Sequence, residues 1–169
     1  SKAAAPHWTQ RGKGESWGRA VHSLLKLIGE GQVKDLELQA ENILTAEERD
    51  LSEKTELLDL INSITQSQLW NRMLKAKEKF YEIPFSVKTD PSSPKPVILN
   101  GVIDLVFLEP DGWVIADYKT DEINGGLQSF IDYYAPQVKV YTQFWEKITQ
   151  QKVKEVGLYF TSINKWVTI

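Results

Sequence analysis

The sequence predicts an α/β architecture: a central mixed β-sheet flanked by helices, with an N-terminal helical layer. Three observations point there. The spacing of apolar residues is helical up to about residue 75 and strand-like from about residue 80. A hairpin signal in the second half is followed by a long helical stripe and one more apolar strand, and a helix that returns the chain to its sheet after a hairpin gives a mixed sheet. Finally, 169 residues at 41% hydrophobic composition suffice for one domain with a real core.

Taken in order, Ser16–Ile28 carries Val21, Leu24, Leu25 and Ile28 on one helical stripe, closed by Gly29 and Gly31. A second helix is expected from about Val33 to Leu44. Thr45-Ala-Glu-Glu has the form of a capping box, but Leu51, Leu57, Leu58 and Ile61 place the start of a long third helix nearer Ser52 or Thr55, running to Met73 or Lys75. Phe80–Val87 reads as a strand whose Pro84 favours an edge or a bulge. Asp90–Pro96 is a proline-rich loop. Val97–Leu108 and Trp113–Lys119 are strands joined by Glu-Pro-Asp-Gly, a good hairpin turn. Asp121–Gly126 is a loop, Tyr133–Thr149 a helix and Glu155–Thr161 a strand, with Lys165–Ile169 as a short final strand.

Composition excludes several chemistries. The chain has no cysteine, so a disulfide framework, a thiolate zinc site and a cysteine-ligated iron–sulfur cluster are ruled out. No run of ~18 apolar residues suggests a membrane span, and no charged-then-apolar leader is visible. The chain opens on Ser rather than Met, and Ser1–Pro6 reads as the edge of an excised segment, so a piece of a larger protein is expected; His7, close by, is given no role. The net charge is −3, unevenly spread: residues 30–59 hold ten acids and three bases, and the remainder holds thirteen acids and seventeen bases. Bases gather at Arg72, Lys75, Lys77 and Lys79. Two readings stand for them, a nucleic-acid contact and ordinary solvated helix faces.

The chemistry concentrates in two strands. Asp104 interrupts Val-Ile-Asp-Leu-Val-Phe, and Asp117 ends Trp-Val-Ile-Ala and opens Asp-Tyr-Lys-Thr. A carboxylate in an apolar strand is costly unless paired or bound to a metal. The hairpin brings the two acids to neighbouring strands, which makes a hard, oxygen-rich site suited to Mg²⁺ or Mn²⁺. Lys119, two residues beyond Asp117, emerges on the same face by strand alternation. That set suits phosphodiester hydrolysis. On the first helix His22 follows Gly18 by one turn, so glycine leaves room beside the imidazole; two readings stand, a partly buried structural histidine and a group that completes a carboxylate-rich metal site. Gln137 and Tyr141 share one face of the later helix; Gln137 fits poorly in a stripe that packs on a sheet and is better placed near an active centre. Glu82, between Tyr81 and Ile83, is either a further ligand or an edge-strand charge.

Gly18-Arg-Ala-Val-His22, Glu82-Ile-Pro-Phe, Leu99-Asn-Gly-Val-Ile-Asp104, Asp117-Tyr-Lys119-Thr-Asp and Gln137-x-x-x-Tyr141 follow the order of motifs in RecB-family nucleases of the PD-(D/E)xK superfamily. From about Gly14 to Phe160 the chain resembles the C-terminal nuclease domains of AddA-type subunits of bacterial helicase–nucleases. Its lack of cysteine disfavours the related AddB-type proteins, which carry an iron–sulfur staple. One departure is Ile103, standing where the superfamily has a proline.

The resemblance implies a restriction-endonuclease-like fold and a single nuclease domain over residues 1–169, excised from the C-terminus of a larger helicase–nuclease, with the leading helices part of its site. It implies a Mg²⁺- or Mn²⁺-dependent deoxyribonuclease of exonuclease type, working in bacterial cytoplasm on DNA double-strand breaks for recombinational repair. His22, Asp104, Asp117 and the Tyr118 carbonyl would hold the metal. Lys119 would orient water or stabilise charge, and Gln137 and Tyr141 would position the strand or the lysine. Partners would be single-stranded DNA delivered by a helicase motor, the helicase domains of the parent chain and a second subunit; no membrane is implied. Two rival readings are a free-standing exonuclease of the same superfamily and a non-catalytic DNA-binding or scaffolding module.

Overall fold

Among the described residues, four α-helices, rather than three, precede the first strand. The computed structural model describes residues 13–88 and 92–169. The readings of Ser1–Pro6 and His7, and the Asp90-Pro91 start of the proline-rich loop, lie outside those residues. The order is α1 (Gly14–Gly29), α2 (Leu36–Ala46), α3 (Lys54–Thr65), α4 (Gln68–Lys75), β1 (Lys79–Lys88), β2 (Ile98–Glu109), β3 (Gly112–Lys119), α5 (Leu127–Thr149), β4 (Val153–Phe160) and β5 (Lys165–Thr168). The five strands form one mixed sheet in the order β1-β2-β3-β4-β5, so the α/β class holds. The chain packs as two compact units. Of the described residues, the first comprises 13–74, Tyr118–Leu127 and Tyr159–Trp166; the second comprises Lys75–Asp117, Gln128–Leu158 and Val167–Ile169.

In the first unit, apolar residues at helical spacing build the core: Trp17, Ala20, Val21, Leu24 and Leu25 of α1, Ala40, Ile43 and Leu44 of α2, and Leu57, Ile61 and Ile64 of α3 are buried. Gly31 ends the first turn sequence with φ 71°, a left-handed position that glycine adopts without steric cost, while the Gln32 amide donates to the Leu27 carbonyl at 2.9 Å. Asp35 then caps α2, accepting from the Leu38 amide at 3.1 Å, which is why α2 starts at Leu36 rather than Val33. Thr45 lies inside α2, so the capping-box reading is not realised; Asp50 instead accepts from the Ser52 amide at 2.7 Å and opens the short 3₁₀ turn before α3. The expected long third helix is split by Ser67. Its hydroxyl donates to the Ile64 carbonyl at 2.6 Å and accepts from the Trp70 amide at 3.2 Å, ending α3 and starting α4 at once.

In the second unit β1–β2 and β2–β3 are antiparallel, with Phe85 opposite Gly101 and Leu105 opposite Ala116. The hairpin closes through Pro110-Asp111, with Glu109 paired to Gly112. Gly112 is held to glycine for two reasons: its φ is 148°, and a Cβ there would sit 3.1 Å from the Lys152 carbonyl oxygen. Trp113 donates its amide to that carbonyl at 3.1 Å, so β3 and β4 start side by side, as parallel neighbours do. Helix α5 covers these strands through its aromatic residues. Trp145 meets Trp113 and Phe80 at 5.1 and 5.8 Å between ring centroids, and Phe85 meets Tyr141 and Phe144 at 5.2 and 5.1 Å. The helix begins at Leu127, six residues before the expected Tyr133, and carries Pro136 inside it. Proline has no amide to give the carbonyl four residues back, so a kink is the physical expectation there.

Candidate active site

The register of the three antiparallel strands aligns the acids. Tyr81 pairs with Leu105 and Ile83 with Ile103, so Glu82 stands opposite Asp104. Leu105 pairs with Ala116, and one step along the same register sets Asp104 opposite Asp117. Glu82, Asp104 and Asp117 therefore form a row across β1, β2 and β3. Asp104 and Asp117 are buried, at 9% and 3% exposure, and a carboxylate oxygen of Glu82 lies within 4.8 Å of one of Asp104. Directly opposed like charges destabilise a sheet, and this row has three.

Glu82 occupies an unusual backbone position. Its φ is 52°, the left-handed region, in the middle of a strand. A non-glycine residue there costs about 1–3 kcal/mol and persists only where its surroundings enforce it. One consequence is visible in the packing. Phe80 and Phe85, an odd number of residues apart, should face opposite ways on an alternating strand, yet both meet α5. Glu82, between them, breaks the alternation. Of the two readings of this residue, membership of the acid cluster is the one the register supports.

Tyr141 senses the whole row. Burial pushes its phenol well above the usual tyrosine range, and the negative charges of Asp117, Asp104 and Glu82, in that order, push it further. Three carboxylates thus converge electrostatically on one hydroxyl that stays protonated and able to donate. Gln137, one turn earlier on α5, is exposed and lines a cavity with Tyr141.

The first unit supplies a second group of the predicted residues. His22 Nε2 lies 3.0 Å from the carbonyl oxygen of Tyr118, the residue that follows Asp117 in the chain. A carbonyl only accepts, so in this arrangement Nε2 carries the proton and donates it. Lys119 ends β3 and is half-buried. The space left by Gly18 is used differently from the sequence reading: a Cβ there would come 3.2 Å from Thr120 Oγ1, so glycine admits the threonine that follows Lys119 rather than making room for the imidazole.

What sequence reasoning left open was the place of Glu82. The only local signal was Pro84 two residues on, which marks an edge or bulge; the register that aligns the three acids is a property of strand pairing.

The profile of the PD-(D/E)XK nuclease superfamily matches residues 4–166. Over 78% of its length the chain is 37% identical to an AddA-type ATP-dependent helicase/nuclease protein from Carboxydothermus hydrogenoformans, and over 88% it is 33% identical to the protein of the same name from Heliobacterium modesticaldum. The corresponding ATP-dependent helicase/nuclease protein from Alkaliphilus metalliredigens is 29% identical over 89% of the chain. The chain spans about an eighth of the length of these relatives, 12% of the first two and 14% of the third. With its strand-borne Asp104 and its Asp117-Tyr-Lys119, and with that match over nearly its full length, the chain belongs to the PD-(D/E)XK nuclease superfamily.

Proposed function

We propose that this chain is a Mg²⁺- or Mn²⁺-dependent deoxyribonuclease domain, exonucleolytic in action, belonging to a bacterial helicase–nuclease that processes double-strand breaks for recombinational repair. The observation that carries the reading is the row of Glu82, Asp104 and Asp117 across three strands, two of its members buried. A cation is the natural complement of such a row, and oxygen and imidazole donors without thiolate favour Mg²⁺ or Mn²⁺ over Zn²⁺. Carboxylate, carbonyl and imidazole donors match the preference of these ions, and binding one would replace the hydrogen bond that His22 Nε2 gives the Tyr118 carbonyl. Asp104, Asp117, His22 and the Tyr118 carbonyl are the proposed ligands.

When bound, the ion lowers the pKa of a coordinated water and offsets charge developing on the phosphate. The remaining work belongs to the chain. Lys119 donates from its ammonium to the attacking water or to a phosphate oxygen. Tyr141, held neutral, donates beside the carboxylates, and Gln137 contacts the strand from the exposed face of α5. Because the chain matches about an eighth of each relative, we assign it to a parent protein whose helicase domains, with a second protein partner, deliver single-stranded DNA to it in the cytoplasm. Among the described residues no helix is long and apolar enough to cross a membrane.

The test is cleavage of linear single- and double-stranded DNA with Mg²⁺ or Mn²⁺ by the wild type, Asp117→Ala and Lys119→Ala. Loss of about 100-fold or more in each variant is expected, the range for removing a group that acts on developing charge. Cleavage that survives both substitutions overturns the assignment.

A further inference from the structure

A cavity of about 280 Å³ opens in the second unit beside Tyr141, walled by Phe85 and Leu99 of the strands and by Pro136 and Val140 of α5, with Gln137 and Asn100 as its polar residues. None of its lining residues is charged. Phe85 packs closely against Gly101, where a Cβ would come 2.6 Å from the phenyl ring, and both residues line the cavity. Phe85 is met edge-on by Tyr141, which also lines the cavity, and lies beside Phe144. Pro136 presents a rigid ring to the opening.

We propose that this cavity is a nucleobase subsite, holding one base of the strand whose backbone passes the acid row. The inference rests on the nuclease reading, and two features choose the occupant. Tyr141 is shared: its ring walls the cavity, while its hydroxyl is under the charge of Asp117, Asp104 and Glu82. A ligand filling the cavity is therefore within one residue's width of the groups assigned to the phosphodiester. The lining also matches a base and not a phosphate, since flat aromatic and aliphatic walls without cations suit a π-face and offer nothing to an anion. The Gln137 amide both donates and accepts, so it meets the edge of any base without selecting one. The subsite thus grips a single strand with little sequence preference, and it excludes a paired base, whose edge is already engaged and whose faces are stacked. It makes Val140 and Leu99 contributors to substrate binding through their side chains, a role that neither residue type announces.

The experiment is fluorescence anisotropy with labelled 12-nucleotide single strands in EDTA, comparing ordinary DNA with a strand of the same length built wholly from abasic nucleotides. The wild type should bind the ordinary strand about tenfold more tightly, the order expected for one stacked base. Val140→Trp, which fills the cavity from its half-exposed wall, should reduce binding of the ordinary strand by a similar factor and leave the abasic strand unchanged. Equal binding of both strands by the wild type overturns the subsite and needs no variant. So does a Val140→Trp protein, intact by circular dichroism, that binds ordinary DNA as the wild type does; in that case the cavity takes an apolar segment of a protein instead. Asp117→Ala separates the two readings. If it cleaves DNA normally, the nuclease assignment fails, whereas base-dependent binding, measured without metal, stands or falls by itself.

Discussion

At the scale of single residues, the shift on Tyr141 has consequences beyond the site. Burial and three carboxylates all oppose its phenolate, so the folded chain keeps the proton where an unfolded chain gives it up, near pH ~10. The unfolded state then binds fewer protons, and stability falls as pH rises past that point. Below about pH 9 this residue contributes no slope. Tyr159 is raised as well, mainly by burial, and adds a slope of the same sign. We expect Tyr141→Phe to lose less Tm than the wild type between pH 8 and pH 10.5, without becoming flat, because Tyr159 remains. Equal alkaline losses in the two proteins would show that Tyr141 ionises in the folded state. The substitution should also weaken cleavage at pH 8, because a phenyl ring has no proton to donate beside the acids.

At the scale of elements, the acidic stretch 30–59 turns out to be structural. Arg49, in the loop between α2 and α3, donates to both carboxylate oxygens of Glu53 at 2.9 and 2.8 Å, to the Lys13 carbonyl at 2.9 Å and to Ser16 Oγ at 2.6 Å. It also lies over the Trp17 ring at 5.4 Å. Lys13 adds pairs to Glu53 and Glu56 at 2.7 Å each, and Lys54 meets Glu41 at 2.9 Å. Arg49 and then Lys13 hold the Glu53 carboxyl below the usual carboxylate range. That stabilisation is present above the ordinary glutamate pKa and is lost as pH falls through the depressed one. We expect Arg49→Lys to cost about 1–2 kcal/mol in urea unfolding at pH 7, since an ammonium cannot bridge the same four acceptors. The difference from wild type should shrink at pH 3; a constant difference would assign the loss to the Lys13 carbonyl, Ser16 and Trp17 contacts rather than to the Glu53 pair.

These contacts also show which elements were readable in the sequence. Strands came within a residue or two of their ends because apolar runs and the Pro-Asp turn act locally. The break at Ser67 was hidden, since a serine hydroxyl that caps one helix while closing another does not disturb the apolar period running past it. The early start of α5 was missed although the expected helix already ran through Pro136, because its first turns follow directly on Gly125-Gly126 and were read as the end of that loop. The placement of Asp104 and Asp117 on neighbouring strands, with Lys119 ending the second of them, was legible from residue type and spacing. The place of Glu82 depended on register and on a left-handed residue, neither of which one strand encodes by itself.

At the scale of the whole molecule, an ion held by the proposed ligands would be linked to folding. Anything that binds the folded chain alone stabilises it by RT ln(1 + [L]/Kd), about 1.4 kcal/mol at a tenfold excess over Kd. For a chain of this size that is roughly 3–6 °C in Tm. Without metal the sign at the site reverses, because Asp117 stands opposite Asp104 in buried strands and its charge is a burden there. Asp117→Asn keeps the shape and removes one charge. In EDTA it should melt at or above the wild type, while 10 mM Mg²⁺ should raise the wild type by those few degrees and leave the variant unmoved. Arg49→Lys supplies the control, since it weakens the fold through residues not proposed as ligands. It should lower both wild-type curves equally and keep the Mg²⁺ increment intact, as independent effects add. An increment that persists in Asp117→Asn at full size would place the ion away from the acid row, and the row would then owe its burial to something other than catalysis.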